Sequence, residues 1–163
     1  MKQFESAVLV LAQALRGAGL RLAAAESCTG GLIAAACTAV AGSSDWFERG
    51  FVSYSNEAKI DMLGVDAALL ARHGAVSAEV ARAMAEGALA HSRADLAVAV
   101  TGIAGPGGAT MDKPVGTVWL AVAARAGVTQ TELLQLSGDR ASIRAQTVQH
   151  ALRHLITRAT SIR

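Results

Sequence analysis

Seven residues, Ala25-Glu26-Ser27-Cys28-Thr29-Gly30-Gly31, constrain the fold of this chain more than any other stretch. They separate an apolar run, Leu20 to Ala25, from a small-residue run of helical character that begins at Leu32. A strand therefore delivers the chain into a tight turn, and the turn opens a helix, the first half of a βα unit. Backbone N–H groups at such a corner have no partner within the helix, and with the helix dipole they suit an anion or a developing oxyanion. Ser27 is expected at the C-terminal edge of its strand, where ligands of open α/β sheets bind. A plain N-cap on a packed turn accounts for the same residues, so the rest of the chain has to decide.

The pattern on either side extends the unit. Phe4, Val8, Leu11 and Leu15 fall on one face of a first helix that Gly17-Ala18-Gly19 closes. After the second helix, expected to reach Ala41, Gly42-Ser43-Ser44-Asp45 breaks the pattern and Arg49 to Ser55 alternates as a second strand. Three helices follow: Glu57 to Leu63, Asp66 to Arg72, and a longer one capped by Ser77 that runs to His91. Leu96 to Val100 reads as a central strand buried on both faces, and the glycine-rich Thr101 to Gly108 leaves its end. Val115 to Ala124 and Thr129 to Leu136 form a hairpin around Ala126-Gly127, and Asp139 caps a last helix with a stripe of Val148, Leu152, Leu155 and Ile156. The order predicts one domain over residues 1–163: an α/β fold, a three-layer α/β/α sandwich with a mixed, mostly parallel sheet.

Charged residues make up only 17% of a chain that is 52% hydrophobic, too few to cover a monomer's surface generously, which points to a homodimer or higher homo-oligomer. A net charge of +2, spread along the chain, gives no nucleic-acid footprint. The longest uncharged stretch, Ser27 to Ser44, holds three Gly and five Ser/Thr and makes a poor membrane span. Cys28 and Cys37 lie on one predicted helix, roughly 13 Å apart at the helical rise, too far to bridge. A reducing, cytoplasmic location follows.

Arginine is the default cation here, since only Lys2, Lys59 and Lys113 are lysines among fifteen basic residues. Lysine can lose its proton when desolvated and arginine cannot. Lys59 falls in the first turn of the helix after the second strand, where the helix dipole and partial burial both disfavour its charge. A neutral amine beside a serine hydroxyl is a competent general base; a surface lysine paired with Glu57 or Asp61 is the plainer reading. Cys28 is the rival nucleophile at the same corner. Glu26 suits either orientation of the turn and substrate hydroxyls or a structural hydrogen bond. The loop from Thr101 and Gly102 onward can offer backbone donors to an oxygen or phosphate, or simply needs positive φ. Arg140 and Arg144 share a helix face as a phosphate-gripping pair does, and as many solvated pairs do. His150 and His154 have zinc-like spacing without a third ligand, and no phosphate-binding or dinucleotide fingerprint is present, so neither metal nor cofactor is expected.

The motifs Ala25-Glu-Ser-Cys-Thr-Gly-Gly31, Trp46-Phe-Glu-Arg-Gly-Phe51, Tyr54-Ser-Asn-Glu-Ala-Lys59, His73-Gly-Ala-Val-Ser77, Thr101-Gly-Ile-Ala-Gly-Pro106, Lys113-Pro-Val-Gly-Thr-Val-Trp119 and Gly138-Asp-Arg140 stand in order along the chain. Together they resemble the CinA C-terminal domain family, whose stand-alone members are the PncC-type nicotinamide-nucleotide amidohydrolases. The resemblance implies hydrolysis of the carboxamide of nicotinamide mononucleotide to nicotinic acid mononucleotide and ammonia, without metal. It implies Ser27 as nucleophile, Lys59 as base and Tyr54 as a third catalytic residue. Glu26, Cys28, Thr29, Gly30, Gly31, Thr101, Gly102 and Arg140 would bind substrate, with Ser44 joining their hydrogen-bond network. Larger members carry a further N-terminal domain with a pyrophosphatase activity, which is not expected of this chain.

Overall fold

A computed structural model describes residues 1–162. Five strands and six α-helices follow one another as α1 (Lys2–Ala18), β1 (Leu22–Glu26), α2 (Leu32–Thr38), β2 (Phe47–Val52), α3 (Asn56–Leu63), α4 (Ala67–His73), α5 (Ala78–Ala90), β3 (Leu96–Gly102), β4 (Thr117–Ala124), β5 (Gln130–Gln135) and α6 (Arg140–Ser161), with a single 3₁₀ turn at Ser43–Asp45. The sheet order is β2-β1-β3-β4-β5. β1 pairs in parallel with both β2 and β3, whereas β3–β4 and β4–β5 are antiparallel. The sheet is mixed as expected, but it is half parallel rather than mostly so, because β4 and β5 are joined to β3 as an antiparallel meander; the parallel half carries the β1 corner.

Alternation along the strands sorts two cores. Leu22 and Ala24 of β1 and Leu96, Val98 and Val100 of β3 face α1, α2 and α6, where Phe4, Leu11, Ile33, Val148 and Leu152 fill the first core. The opposite face is built almost wholly of alanine: Ala23, Ala25, Ala97, Ala99, Ala121 and Ala123. Side chains that small let α5 sit close to the sheet, through Val80, Met84 and Ala88. α3 then packs on α5 at Gly87, where a Cβ would overlap the Leu63 carbonyl. That close approach fixes the helix that carries Lys59.

Several boundaries differ from the sequence reading by one or two residues, and two differ by three. β2 ends at Val52 instead of Ser55, because the Ser55 hydroxyl accepts from Ala58 N–H at 3.0 Å and turns the chain into α3. α2 stops at Thr38, whose hydroxyl bonds back to the Ala34 carbonyl at 2.8 Å, rather than continuing to Ala41. No helix of the described residues is long and apolar enough to cross a membrane.

Candidate active site

β1 runs out at Glu26, and the corner that follows is held from below. Ser27 N–H donates to the Val100 carbonyl of β3, and Gly30 N–H donates to the Ser27 carbonyl at 2.9 Å. Gly30 and Gly31 take φ of 58° and 101°, a left-handed pair that other residues adopt only with strain. Glu26 is 1% exposed, and its carboxylate accepts from Thr29 Oγ1 at 2.6 Å, Ile33 N–H at 2.7 Å and Ala34 N–H at 3.0 Å. A side chain from the preceding strand thus caps α2, which has no side-chain cap of its own. The α2 N-terminus is therefore not open to a ligand, contrary to the expectation drawn from the turn alone. Among the corner N–H groups, those of Cys28, Thr29 and Gly31 carry no hydrogen bond to the protein.

Ser27, 8% exposed, meets the lysine singled out from the sequence. Lys59 Nζ lies 3.2 Å from Ser27 Oγ, 3.2 Å from the Ser53 carbonyl and 3.2 Å from the Tyr54 carbonyl. Lys59 is 1% exposed and forms no ion pair among the described residues, so the pairing with Glu57 or Asp61 is not made. Burial without a counter-ion pushes the amine below its usual pKa. The three contacts match the three N–H bonds of an ammonium, and the neutral amine fits them as well. Two N–H bonds can go to the two carbonyls, which leaves the nitrogen lone pair to accept the Ser27 hydroxyl proton.

Cys28 is the weaker nucleophile. Its side chain belongs to the first core, and burial pushes the thiol up to about 12. A helix N-terminus favours a thiolate, and desolvation outweighs it here.

An open cavity of about 260 Å³ lies in front of Ser27, lined by Cys28, Tyr54, Gly102, Arg140 and loop residues that include Ile103, Gly105 and Gly108. Tyr54 is 57% exposed at its rim, and its phenol oxygen accepts from Arg140 Nη2 at 3.2 Å. Arg140 Nη1 also donates to the Gly105 carbonyl at 2.8 Å. The structure thus brings Ser27, Lys59, Tyr54, Cys28, Gly102 and Arg140 together. Tyr54 touches the serine–lysine pair through its carbonyl and the cavity through its ring.

The remaining sequence candidates stand elsewhere. Glu26, Thr29, Gly30 and Gly31 build the corner and do not line the cavity. Thr101 is buried with its hydroxyl donated to the Ala75 carbonyl at 2.9 Å, so it anchors the α4–α5 connection. Ser44 is exposed in the turn before β2. Because β2 runs parallel to β1, that turn lies at the opposite end of the sheet from Ser27, and Ser44 does not join the network within this chain. Arg144 does not line the cavity either; its guanidinium donates to the Cys28 and Thr29 carbonyls. The Ser53 carbonyl was not foreseen. A backbone acceptor has no side-chain signature, and only its place before Tyr54 could have drawn notice.

A buried Ser–Lys pair on a βα corner, facing a cavity with a glycine loop and an arginine, defines a class of serine hydrolase-like α/β/α domain. Residues 5–159 match the model of the CinA C-terminal domain, and the chain belongs to that family. It is 54% identical to the nicotinamide-nucleotide amidohydrolase PncC of Escherichia coli, over 88% of this chain and 87% of that protein. It is 57% identical to a CinA-like protein of Citrifermentans bemidjiense over 93% of its own length but only 37% of the relative's, so it spans about a third of such proteins. The crystal structure of the competence/damage inducible protein CihA from Agrobacterium tumefaciens superposes with a TM-score of 0.92 at 50% identity, covering 94% of each chain.

Proposed function

We propose that this chain is a nicotinamide-nucleotide amidohydrolase that converts nicotinamide mononucleotide to nicotinic acid mononucleotide and ammonia through a Ser27 acyl-enzyme. The observation that carries the reading is the 3.2 Å contact between a buried, unpaired Lys59 amine and the Ser27 hydroxyl. Its nature as an amidase draws on the similarity to the E. coli enzyme over nearly all of that protein's length.

Neutral Lys59 accepts the Ser27 proton as Oγ attacks the carboxamide carbon. The oxyanion forms beside the free N–H groups of the corner, where one well-placed donor is worth about 3 kcal/mol. The ammonium of Lys59, held by the Ser53 and Tyr54 carbonyls, then gives its proton to the departing nitrogen, and ammonia leaves as the C–N bond breaks. Water attacks the ester, Lys59 takes one of its protons and returns it to Ser27 Oγ, and the acid is released. The pyridinium charge makes the carboxamide carbon more electrophilic and opposes a second positive charge on Lys59. The position of Arg140 at the cavity wall supports a role for it in meeting the phosphate.

The exposed apolar side chains Leu9, Val10, Val52 and Leu133, beside the low charge content, favour a homo-oligomer, and the two free cysteines favour the cytoplasm.

Ammonia release should be measured on nicotinamide mononucleotide, nicotinamide riboside and nicotinamide. Turnover should fall steeply when the phosphate is missing, and Ser27→Ala or Lys59→Ala should lower kcat by at least about 10³. Wild-type rates in either variant would refute the mechanism. Binding of the nucleotide without any ammonia release would make the domain a nucleotide-binding module instead.

A further inference from the structure

Arg144 is one turn beyond Arg140 on α6, yet the two guanidinium groups do different work. Arg140 lines the cavity, whereas Arg144 sits against the corner itself, with Nε 3.2 Å from the Cys28 carbonyl and Nη2 2.9 Å from the Thr29 carbonyl. No carboxylate pairs with Arg144 among the described residues. A planar fork that spans two successive carbonyls fixes both peptide planes at once.

We infer that Arg144 is a positioning residue for oxyanion binding: by holding the Cys28 and Thr29 carbonyls it keeps the corner's peptides from turning, and through the Gly30 N–H bond to the Ser27 carbonyl it sets the direction, and raises the donor strength, of the free Cys28 N–H. The inference rests on the serine-acylation reading above. A peptide group is planar and trans, so pulling the Cys28 carbonyl toward α6 turns the Thr29 N–H to the other side of the chain. The next peptide behaves alike. Its carbonyl, on Thr29, is held by Arg144, and its N–H, on Gly30, closes the turn on the Ser27 carbonyl. With the carbonyls of residues 27, 28 and 29 all occupied, the corner cannot rotate its peptides without breaking a bond. The N–H groups of Cys28, Thr29 and Gly31 are left free, and of these three residues Cys28, directly after the nucleophile, is the one that lines the cavity. The residue after a nucleophilic serine supplies an oxyanion donor in other α/β hydrolases as well. A cation on the carbonyl side of a peptide also polarises its N–H: on the Thr29 carbonyl it strengthens the bond from Gly30 N–H to the Ser27 carbonyl, and through that bond the donor strength of the Cys28 N–H.

The test uses a probe that needs no knowledge of the natural substrate. A small alkyl fluorophosphonate bonds its phosphorus to Ser27 Oγ and loses fluoride, the serine proton going to Lys59, while its phosphoryl oxygen occupies the oxyanion position. Modification of Ser27 is followed by mass spectrometry in the wild type, Arg144→Ala and Arg144→Lys, beside kcat and KM for nicotinamide mononucleotide. Arg144→Ala should label at least about tenfold more slowly and lose kcat by a similar factor, with KM within about threefold. Arg144→Lys should fall between, because one nitrogen cannot span two carbonyls. Guanidinium ion added to Arg144→Ala should recover part of both rates, which a merely destabilised variant would not show. Equal labelling rates in all three proteins, a wild-type Ser27 that does not label, or a raised KM with kcat intact would each overturn the inference, the last making Arg144 a substrate ligand. If Arg144→Ala does not fold, Arg144→Lys and Arg144→Gln carry the comparison. A wild type that labels but releases no ammonia from the nucleotide defeats the substrate assignment and leaves the role of Arg144 standing.

Discussion

β1 and β3 are neighbours, both point the same way, and each ends in a loop beside the cavity, yet the two loops are built on opposite plans. The corner after β1 is held on all sides: Glu26 from the strand, Val100 from β3, Arg144 from α6 and Lys59 from α3. The loop after β3 is exposed from Pro106 to Asp112, with Met111 wholly in solvent. It is tied by the Arg140 bond to Gly105, the bond from Gly116 N–H to the Ile103 carbonyl, and Lys113, which donates to the His73 carbonyl at 3.0 Å. Bond making at carbon needs positions fixed to a fraction of an ångström, whereas recognition tolerates a softer wall. In the function proposed above, the stiff corner carries the chemistry and the loosely tied loop meets the rest of the substrate. If this contrast is right, damage to the corner lowers kcat, and damage to the loop raises KM.

The largest effect is expected at Lys59. Lys59→Met should lower kcat by at least about 10³ while the chain still folds, since the side chain is replaced by an apolar one of similar length. The stability curve tests the environment separately. Burial holds the folded-state pKa of Lys59 below its ordinary 10.5, so between those two values the unfolded chain binds more protons than the folded one. Wild-type stability then climbs with pH through that window. Below it both states are protonated and the full penalty of burying the charge stands; above 10.5 the penalty has gone. Thermal melts across alkaline pH should show the difference between wild type and Lys59→Met changing in this window in favour of the wild type. A difference independent of pH there would mean the amine is not desolvated.

Glu26 comes next, because it serves the corner without touching the cavity. Glu26→Ala leaves the Ile33 and Ala34 N–H groups and the Thr29 hydroxyl without their acceptor, which should cost about 2–3 kcal/mol of stability. kcat should fall about tenfold as the turn loosens, with KM little changed. Glu26→Gln keeps one acceptor oxygen and should lose about half as much stability. Chemical denaturation together with steady-state kinetics checks both. A rise in KM alone would mean that Glu26 reaches the substrate and that the division between corner and loop is wrong.

Legibility in the sequence follows the same division. The βα corner was readable because it rests on local signals: an apolar run, two adjacent glycines and a small-residue helix. Ser27 and Lys59 were readable as well, since an isolated lysine in an arginine-rich chain is chemically conspicuous. What makes them a pair was not. The carbonyls of Ser53 and Tyr54 hold Nζ, and any residue type supplies a carbonyl. The reach of Glu26 to the N–H groups of Ile33 and Ala34 crosses seven and eight positions, beyond ordinary capping patterns. Arg140 and Arg144 share a helix face, and only the position of α6 over the corner separates a cavity residue from a brace. Ser44, which only the resemblance suggested, does not meet the others within this chain, because strand direction carries it to the opposite end of the sheet.

The smallest expected effect tests the soft wall. Lys113 is the third lysine of the chain, and its ammonium caps the C-terminal end of α4 through the His73 carbonyl, drawing the far side of the glycine loop against that helix. The bond is part-exposed, so its loss in Lys113→Ala should cost less than about 1 kcal/mol. Ser27, Lys59 and the corner keep all their bonds in this variant, and kcat should stay within about twofold of wild type. The loop wall that Gly105, Gly107 and Gly108 present to the cavity becomes less confined, and KM for the nucleotide should rise about three- to tenfold through the ordering that binding must then supply. Lys113→Arg can still donate to the same carbonyl and should restore KM. A fall in kcat at constant KM would show that the loop governs the reacting geometry, and the two walls of the cavity would have to be treated as one mechanical unit.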